Sequence, residues 1–174
     1  IQLKSNNNIL HNLKKTEQLI SKAVKQKSDF ILTPEISSLF SLEKKRLLKI
    51  CKSMKDDIYL NGIKKIAKKY KRWILIGSLI IKVSKNKLVN RSVLIDKNGR
   101  IRTYYDKIHM YDVVLSKREK YFESKTFSAG KKIKSSYLHL FKQKPLTEIN
   151  LNTQSQHALG DLLTQMDLTA QYRV

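Results

Sequence analysis

Apolar and polar positions alternate with changing period along the first half of the chain, and the changes mark out its elements. Between Ile9 and Lys27, the residues Leu13, Ile20 and Val24, with Thr16 and Ala23 between them, recur at three- and four-residue spacing while lysines fill the other positions. That is the period of a helix with one buried stripe. Asn7 or Asn8 can cap it, because an asparagine side chain accepts from the free N–H groups of a first turn. Phe30-Ile31-Leu32, stopped by Pro34, has the continuous apolar character of a strand buried on both faces. Leu42, Leu47, Leu48, Cys51 and Met54 predict a helix or broken helix from Ser41 to about Lys55. Ile63, Ile66, Ala67 and Tyr70 predict another, from about Ile58 to Tyr70. Trp73 to Ile81 is the most apolar run and predicts a central strand, with Gly77 allowing a bulge or close packing. Ile1-Gln2-Leu3 reads as the end of a strand truncated or processed at its start. The resulting order, β-α-β-α-α-β, favours parallel pairing through helical crossovers.

The pattern then turns to hairpins. Val89 to Ile95 and Ile101 to Tyr105 flank Asp96-Lys97-Asn98-Gly99, and Asn-Gly between two apolar runs is a hairpin signal, so antiparallel pairing is expected to enter there. The second arm leads into Asp106 and Lys107. Val113 to Gly130 is expected to be a long ordered loop with a helical turn. Beyond Lys134 the polar run Asn150 to Gln156 precedes a short helix expected at Ala158 to Met166. The organisation is therefore divided at residues 1–133, which carry the patterned elements, and 134–174, a divergent tail without an assigned role.

Composition narrows the function classes. A chain of 174 residues with 41% hydrophobic content can bury a core. No apolar run approaches the roughly 18 residues of a membrane span, and no signal-type segment opens the chain, so the expectation is a cytoplasmic protein with no membrane partner. The one cysteine, Cys51, excludes an internal disulfide and a cysteine framework for zinc. The histidines, His11, His109, His139 and His157, lack ligand spacing to one another, so His109 reads as a structural loop residue rather than a metal ligand. Net charge is +22, but the first 144 residues hold 35 basic and 11 acidic side chains, mostly lysines interleaved with Ile, Leu and Asn. Lysine in that pattern reads as a solvated face, since arginine is the residue that forks onto phosphates and bases. A nucleic-acid partner is disfavoured, and a basic module for RNA or an anionic surface stands as the alternative reading. Tyrosines 104, 105, 111 and 121 read as packing for the hairpin and loop.

The candidate chemistry lies where strands end. Thr33-Pro34-Glu35 sets a carboxylate just past a buried strand, a usual place for sites in α/β layouts, although a solvated loop residue fits Glu35 equally well from its position alone. Lys107 follows the hairpin in Tyr104-Tyr105-Asp106-Lys107-Ile108-His109-Met110-Tyr111-Asp112. Those two stretches, the Gly77-Ser78 strand, the Asn-Gly hairpin, Tyr121-Phe122-Glu123-Ser124 and Gly130 stand in the order found in the nitrilase superfamily of carbon–nitrogen hydrolases, which the chain resembles over roughly Ile1 to Ile133. The small-amide, ω-amidase-like branch is the most similar. The resemblance implies an α/β fold, the N-terminal half of the family's four-layer αββα sandwich. It also implies hydrolysis of a small linear non-peptide amide by a Glu-Lys-Cys triad without cofactor or metal. Glu35 matches the general base, Lys107 the residue that stabilises the oxyanion, and Glu123 a further glutamate that positions lysine and substrate.

The match lacks its third member. No cysteine follows Lys107, and where the nucleophile motif should arrive the chain reads Ser135-Ser136-Tyr137-Leu138-His139-Leu140-Phe141-Lys142. Cys51 precedes the lysine in a Leu- and Lys-rich stretch suited to a half-buried hydrophobe. The expectation is an inactive chain: a fragment or frameshifted product first, with a pseudoenzyme serving as a binding partner and an enzyme with an unrecognised nucleophile as the other two readings. The sequence leaves a homo-oligomer open.

Overall fold

The computed structural model describes residues 1–117, 119–138 and 147–150. Asn8 caps the first helix by accepting from the His11 N–H, and α1 runs over Ile9–Lys25. It stops at Lys27, whose φ of 63° lies in the left-handed region, two residues past the last helical turn. Strand β1 (Phe30–Leu32) follows, then a short helix α2 (Lys44–Ile50) and a longer one, α3 (Ile58–Tyr70). Asp57 caps α3 by accepting from Leu60 N–H. The helix expected over Ser41 to Lys55 is thus only seven residues long, and the chain from Cys51 to Asp57 turns without helical bonding.

Strands β2 (Trp73–Ser84), β3 (Lys87–Ile95) and β4 (Ile101–Asp106) complete a four-stranded sheet in the order β1-β2-β3-β4. Only β1 and β2 are parallel. Antiparallel pairing enters at β2–β3, one strand earlier than the Asn-Gly hairpin. The turn there is Lys85-Asn86, where the asparagine stands without the following glycine that marks the Asn98-Gly99 hairpin. The Asn-Gly hairpin itself is present: Asp96 accepts from the Asn98 and Arg100 N–H groups, and Gly99 adopts φ 77°. Residues 1–3 form no strand; the Ile1 ammonium donates to the Leu32 carbonyl at the end of β1. A small hairpin, β5 (Asp112–Val114) with β6 (Lys120–Phe122), and a 3₁₀ turn at Glu123–Lys125 occupy the expected loop, and β7 (Ser135–Leu138) pairs with β8 (Thr147–Asn150). The helix expected at Ala158 to Met166 lies outside the described residues.

The sheet separates two environments. Ile31, Ile74, Ile76, Val93 and Ile95 pack on one face against Ile20 of α1 and Tyr59, Leu60, Ile63, Ile66 and Ala67 of α3. Because side chains alternate along a strand, Leu75, Leu94 and Tyr105 gather on the other face with Phe30, Leu32 and Trp73. The alternation also sorts polar residues. Arg91 and Asp106 lie opposite one another in register and share a face, where the guanidinium forks onto the carboxylate at 2.6 and 2.8 Å and lies 4.1 Å from the Tyr104 ring centre. Asn90 and Lys107, one position along, turn to the opposite face.

Candidate active site

Glu35 is set by a tight junction between the end of β1 and the middle of β2. The β2–β3 register slips between Ile76 and Leu79, so Gly77 and Ser78 bulge out of the ladder. Ser78 uses the freed groups on the segment around Glu35: its N–H donates to the Pro34 carbonyl, its carbonyl accepts from Ser37 N–H, and its hydroxyl accepts from Ile36 N–H. A Cβ on Gly77 would overlap the carbonyls of Thr33 and Pro34, so glycine here serves both the bulge and the close approach. Ile36 holds φ 49°, a strained value for a β-branched residue. Buried polar groups from the helices support the strained turn. Tyr59 shares a hydrogen bond with the Thr16 hydroxyl, Ser37 donates its hydroxyl to Thr33 Oγ1, and Asn12 donates to the Ser38 carbonyl.

Lys107 enters from β4. Its N–H donates to the Asn90 carbonyl at 2.9 Å and its carbonyl accepts from Gly130 N–H, so the backbone is clamped on both sides. Glu123 opens the 3₁₀ turn after β6, with its N–H on the Tyr111 carbonyl. The three side chains meet. The ammonium lies 3.2 Å from Glu35 Oε1 and 2.8 Å from Glu123 Oε2. Glu123 Oε2 also accepts from Tyr111 N–H at 2.7 Å. Asn90, which sequence reasoning did not single out, donates its side-chain amide to Glu35 Oε1 at 2.7 Å and to Glu123 Oε1 at 3.4 Å. The only signal that could have found it was a run of three polar residues, Asn90-Arg91-Ser92, between the apolar pairs Leu88-Val89 and Val93-Leu94 of one strand.

Electrostatics follow from this geometry. Burial by itself would lower the Lys107 pKa, but the hydrogen bond to Glu123 and the fields of Glu35 and Glu123 outweigh it, and the pKa stands above the ordinary lysine value. Two carboxylates against one ammonium leave the cluster formally negative. Glu123 is the sheltered member, with 13% of its side chain exposed, against 23% for Lys107 and 45% for Glu35. The site therefore opens on the Glu35 side.

Cys51 stands apart from this cluster. It ends α2 and packs with Leu39, Leu47, Ile80 and Leu88, and burial, with Asp57 adding to it, pushes its thiol up to about 12. At neutral pH it is a protonated core residue. His109 is exposed in the loop after Lys107, and among the described residues no three His, Cys, Asp or Glu side chains are grouped to hold a metal. Tyr105 is buried, while Tyr104, Tyr111 and Tyr121 are exposed. No helix among the described residues is long and apolar enough to cross a membrane.

A family model for carbon-nitrogen hydrolases matches residues 1–149. The chain belongs to the carbon-nitrogen hydrolase family. Relatives include the deaminated glutathione amidase of Yersinia enterocolitica, 31% identical over 133 residues, which make up 75% of this chain and 46% of that protein. The citrullinase of Francisella tularensis is 32% identical over 136 residues, or 76% of this chain and 46% of its own length. Among solved structures, the Caenorhabditis elegans NitFhit protein is similar with a TM-score of 0.66 and 25% identity, over 75% of this chain and 32% of that one. An amidase from Nesterenkonia sp. shares the fold with a TM-score of 0.61, over 79% of this chain and 49% of its own. The α/β architecture is thus that of the nitrilase-superfamily amidases over three quarters of the chain. The carbon-nitrogen hydrolase chain described here spans about half the length of these amidase relatives.

Proposed function

We propose that the chain is the N-terminal, Glu-Lys-bearing part of an amidase acting on a small linear non-peptide amide. The observation that carries this reading is the convergence of Glu35 on Lys107 across 72 residues of sequence, with Glu123 on the same ammonium. Glu35 acts as general base, taking a proton from a thiol as sulfur attacks the amide carbon, giving that proton to the nitrogen as the C–N bond breaks and the amine leaves, and then taking one from the water that hydrolyses the thioester and frees the thiol. Lys107 faces the carbonyl oxygen as it gains negative charge, and its raised pKa keeps the ammonium protonated for that task. Glu123, sheltered and bonded to the Tyr111 N–H, holds the lysine in place.

The nucleophile is what this chain lacks. Its one thiol is buried and protonated, so we infer that it turns over no amide through cysteine chemistry. The test is an assay of purified chain on short linear amides before and after thiol alkylation in mild denaturant, followed by refolding. The expected result is no turnover in either sample. Turnover that disappears when Cys51 is alkylated refutes the inactive reading. Binding of the same amides, followed by perturbation of the Tyr111 and Lys107 amide resonances, tests the pocket separately. No perturbation at either residue refutes the substrate class.

A further inference from the structure

We propose that Asn90 is a positioning residue that decides which glutamate is the base and which of its oxygens takes the proton. The inference rests on the reading of Glu35 as general base. Asn90 lies inside β3, is 2% exposed and stands opposite Ile80 in the ladder. Asparagine is a poor strand residue, and a buried amide costs free energy unless it is bonded. The bonds it makes are those of the site: its carbonyl holds the Lys107 N–H, and its Nδ2 faces Glu35 Oε1 and Glu123 Oε1. An amide nitrogen carries two protons, enough for one carboxylate each.

Counting acceptors separates the two glutamates. Glu123 is occupied on both oxygens, Oε2 by Lys107 and the Tyr111 N–H, Oε1 by Asn90. Glu35 is occupied on one: Oε1 receives Asn90 and Lys107, whereas Oε2 receives no hydrogen bond from a described residue. An oxygen already accepting from an ammonium and an amide is a poor proton acceptor, because both donors stabilise its charge. Oε2 keeps its lone pairs, on a side chain that is the most exposed of the three. Glu35 is therefore the base through Oε2, and Glu123 is a fixed counter-charge. Removing Asn90 would release half-exposed Glu35 from Lys107 without touching either residue.

The test uses the whole chain and two near-isosteric variants, Asn90→Leu and Asn90→Asp, with the Lys107 side chain followed by NMR through its titration. The charged groups facing Lys107 are Glu35 and Glu123, Arg91 and Asp106 being paired on the other face. In Asn90→Leu, Glu35 drifts off and the midpoint falls by roughly half a unit, since one counter-charge is lost. In Asn90→Asp, an added carboxylate raises it by a similar amount. A purely structural role would not reverse sign between two side chains of one shape. Folded variants whose midpoints stay at the wild-type value, or move the same way, overturn the proposal. If neither variant folds, the Asn90 side-chain amide resonances are compared between wild type and Glu35→Ala: one proton should lose its hydrogen-bonded shift while the other, on Glu123, keeps it. Two unmoved resonances overturn the proposal as well. None of these readouts involves turnover, so a chain that passes them yet binds no amide refutes the substrate class of the proposed function and leaves the placement of Glu35 by Asn90 standing.

Discussion

Replacing Lys107 by methionine keeps the side-chain stem and deletes the charge that Glu35 and Glu123 share. Removing one partner of a fully buried pair costs about 3–5 kcal/mol, and an exposed pair is worth about 1 kcal/mol or less. Lys107 lies between these limits, sheltered with Glu123 and open toward Glu35, and Asn90 still bonds both carboxylates. The expected loss at neutral pH is about 2 kcal/mol, which for a chain of this size is a melting-point drop of about 4–8 °C. The pH dependence carries a sign. Because the folded Lys107 pKa is raised, its contribution is complete below the unfolded lysine value of 10.5 and is lost as pH rises through the folded one. Thermal unfolding followed by circular dichroism between pH 7 and pH 12 should show a gap that stays constant to about pH 10 and narrows above it. Lys69→Met, which removes the exposed pair with Glu17, serves as control and should leave the melting point unchanged. A gap at pH 7 below about 0.5 kcal/mol, or one that widens with pH, refutes the reasoning.

Gly77→Ala drives a methyl into the Thr33 and Pro34 carbonyls and should cost about 2–3 kcal/mol, measured by urea unfolding; a neutral effect would mean the Glu35 turn is not pressed against β2. Cys51 should resist alkylation at pH 8 in the folded chain and react on unfolding, since burial has pushed its thiol up to about 12; rapid labelling of folded protein would contradict the core placement. If the lysines are a solvated face, labelled oligonucleotides should bind weakly, without sequence preference, and fade steeply with salt, whereas tight sequence-dependent binding at physiological salt would favour the basic-module alternative.

What could be read from the sequence was whatever period and position encode. The stripe at Leu13, Ile20 and Val24, the apolar run from Trp73 and the Asn98-Gly99 turn each carry their own local signal, and all three elements formed. The meeting of Glu35 and Lys107 was foreseeable because both follow strands that run the same way and finish at the same end of the sheet, although β1 and β4 are its two outer strands. Other features have no local signature. The Lys85-Asn86 turn has an asparagine but not the glycine that makes Asn98-Gly99 a hairpin signal, so antiparallel pairing between β2 and β3 shows only in the ladder. Asn12 lies on the inner face of α1 where the period calls for an apolar residue; its reason for being there is the Ser38 carbonyl, 26 residues away. Asn90 looks like a defect in a strand until the carboxylates of Glu35 and Glu123 arrive from two distant segments. Polar residues that serve a tertiary site break the local pattern, and pattern alone reads them as noise.

The central claim is that Glu35, Lys107 and Glu123 act as one electrostatic unit, and a double-mutant cycle measures it most directly. Unfolding free energies of Lys107→Met, Glu35→Gln, Glu123→Gln and the two double variants yield the coupling of each carboxylate to the ammonium. The geometry predicts about 1–2 kcal/mol for Lys107 with Glu123, the shorter and more sheltered contact, and about 0.5 kcal/mol for Lys107 with Glu35. Additivity within about 0.3 kcal/mol for both pairs would contradict the account, because residues that do not feel one another cannot form the site.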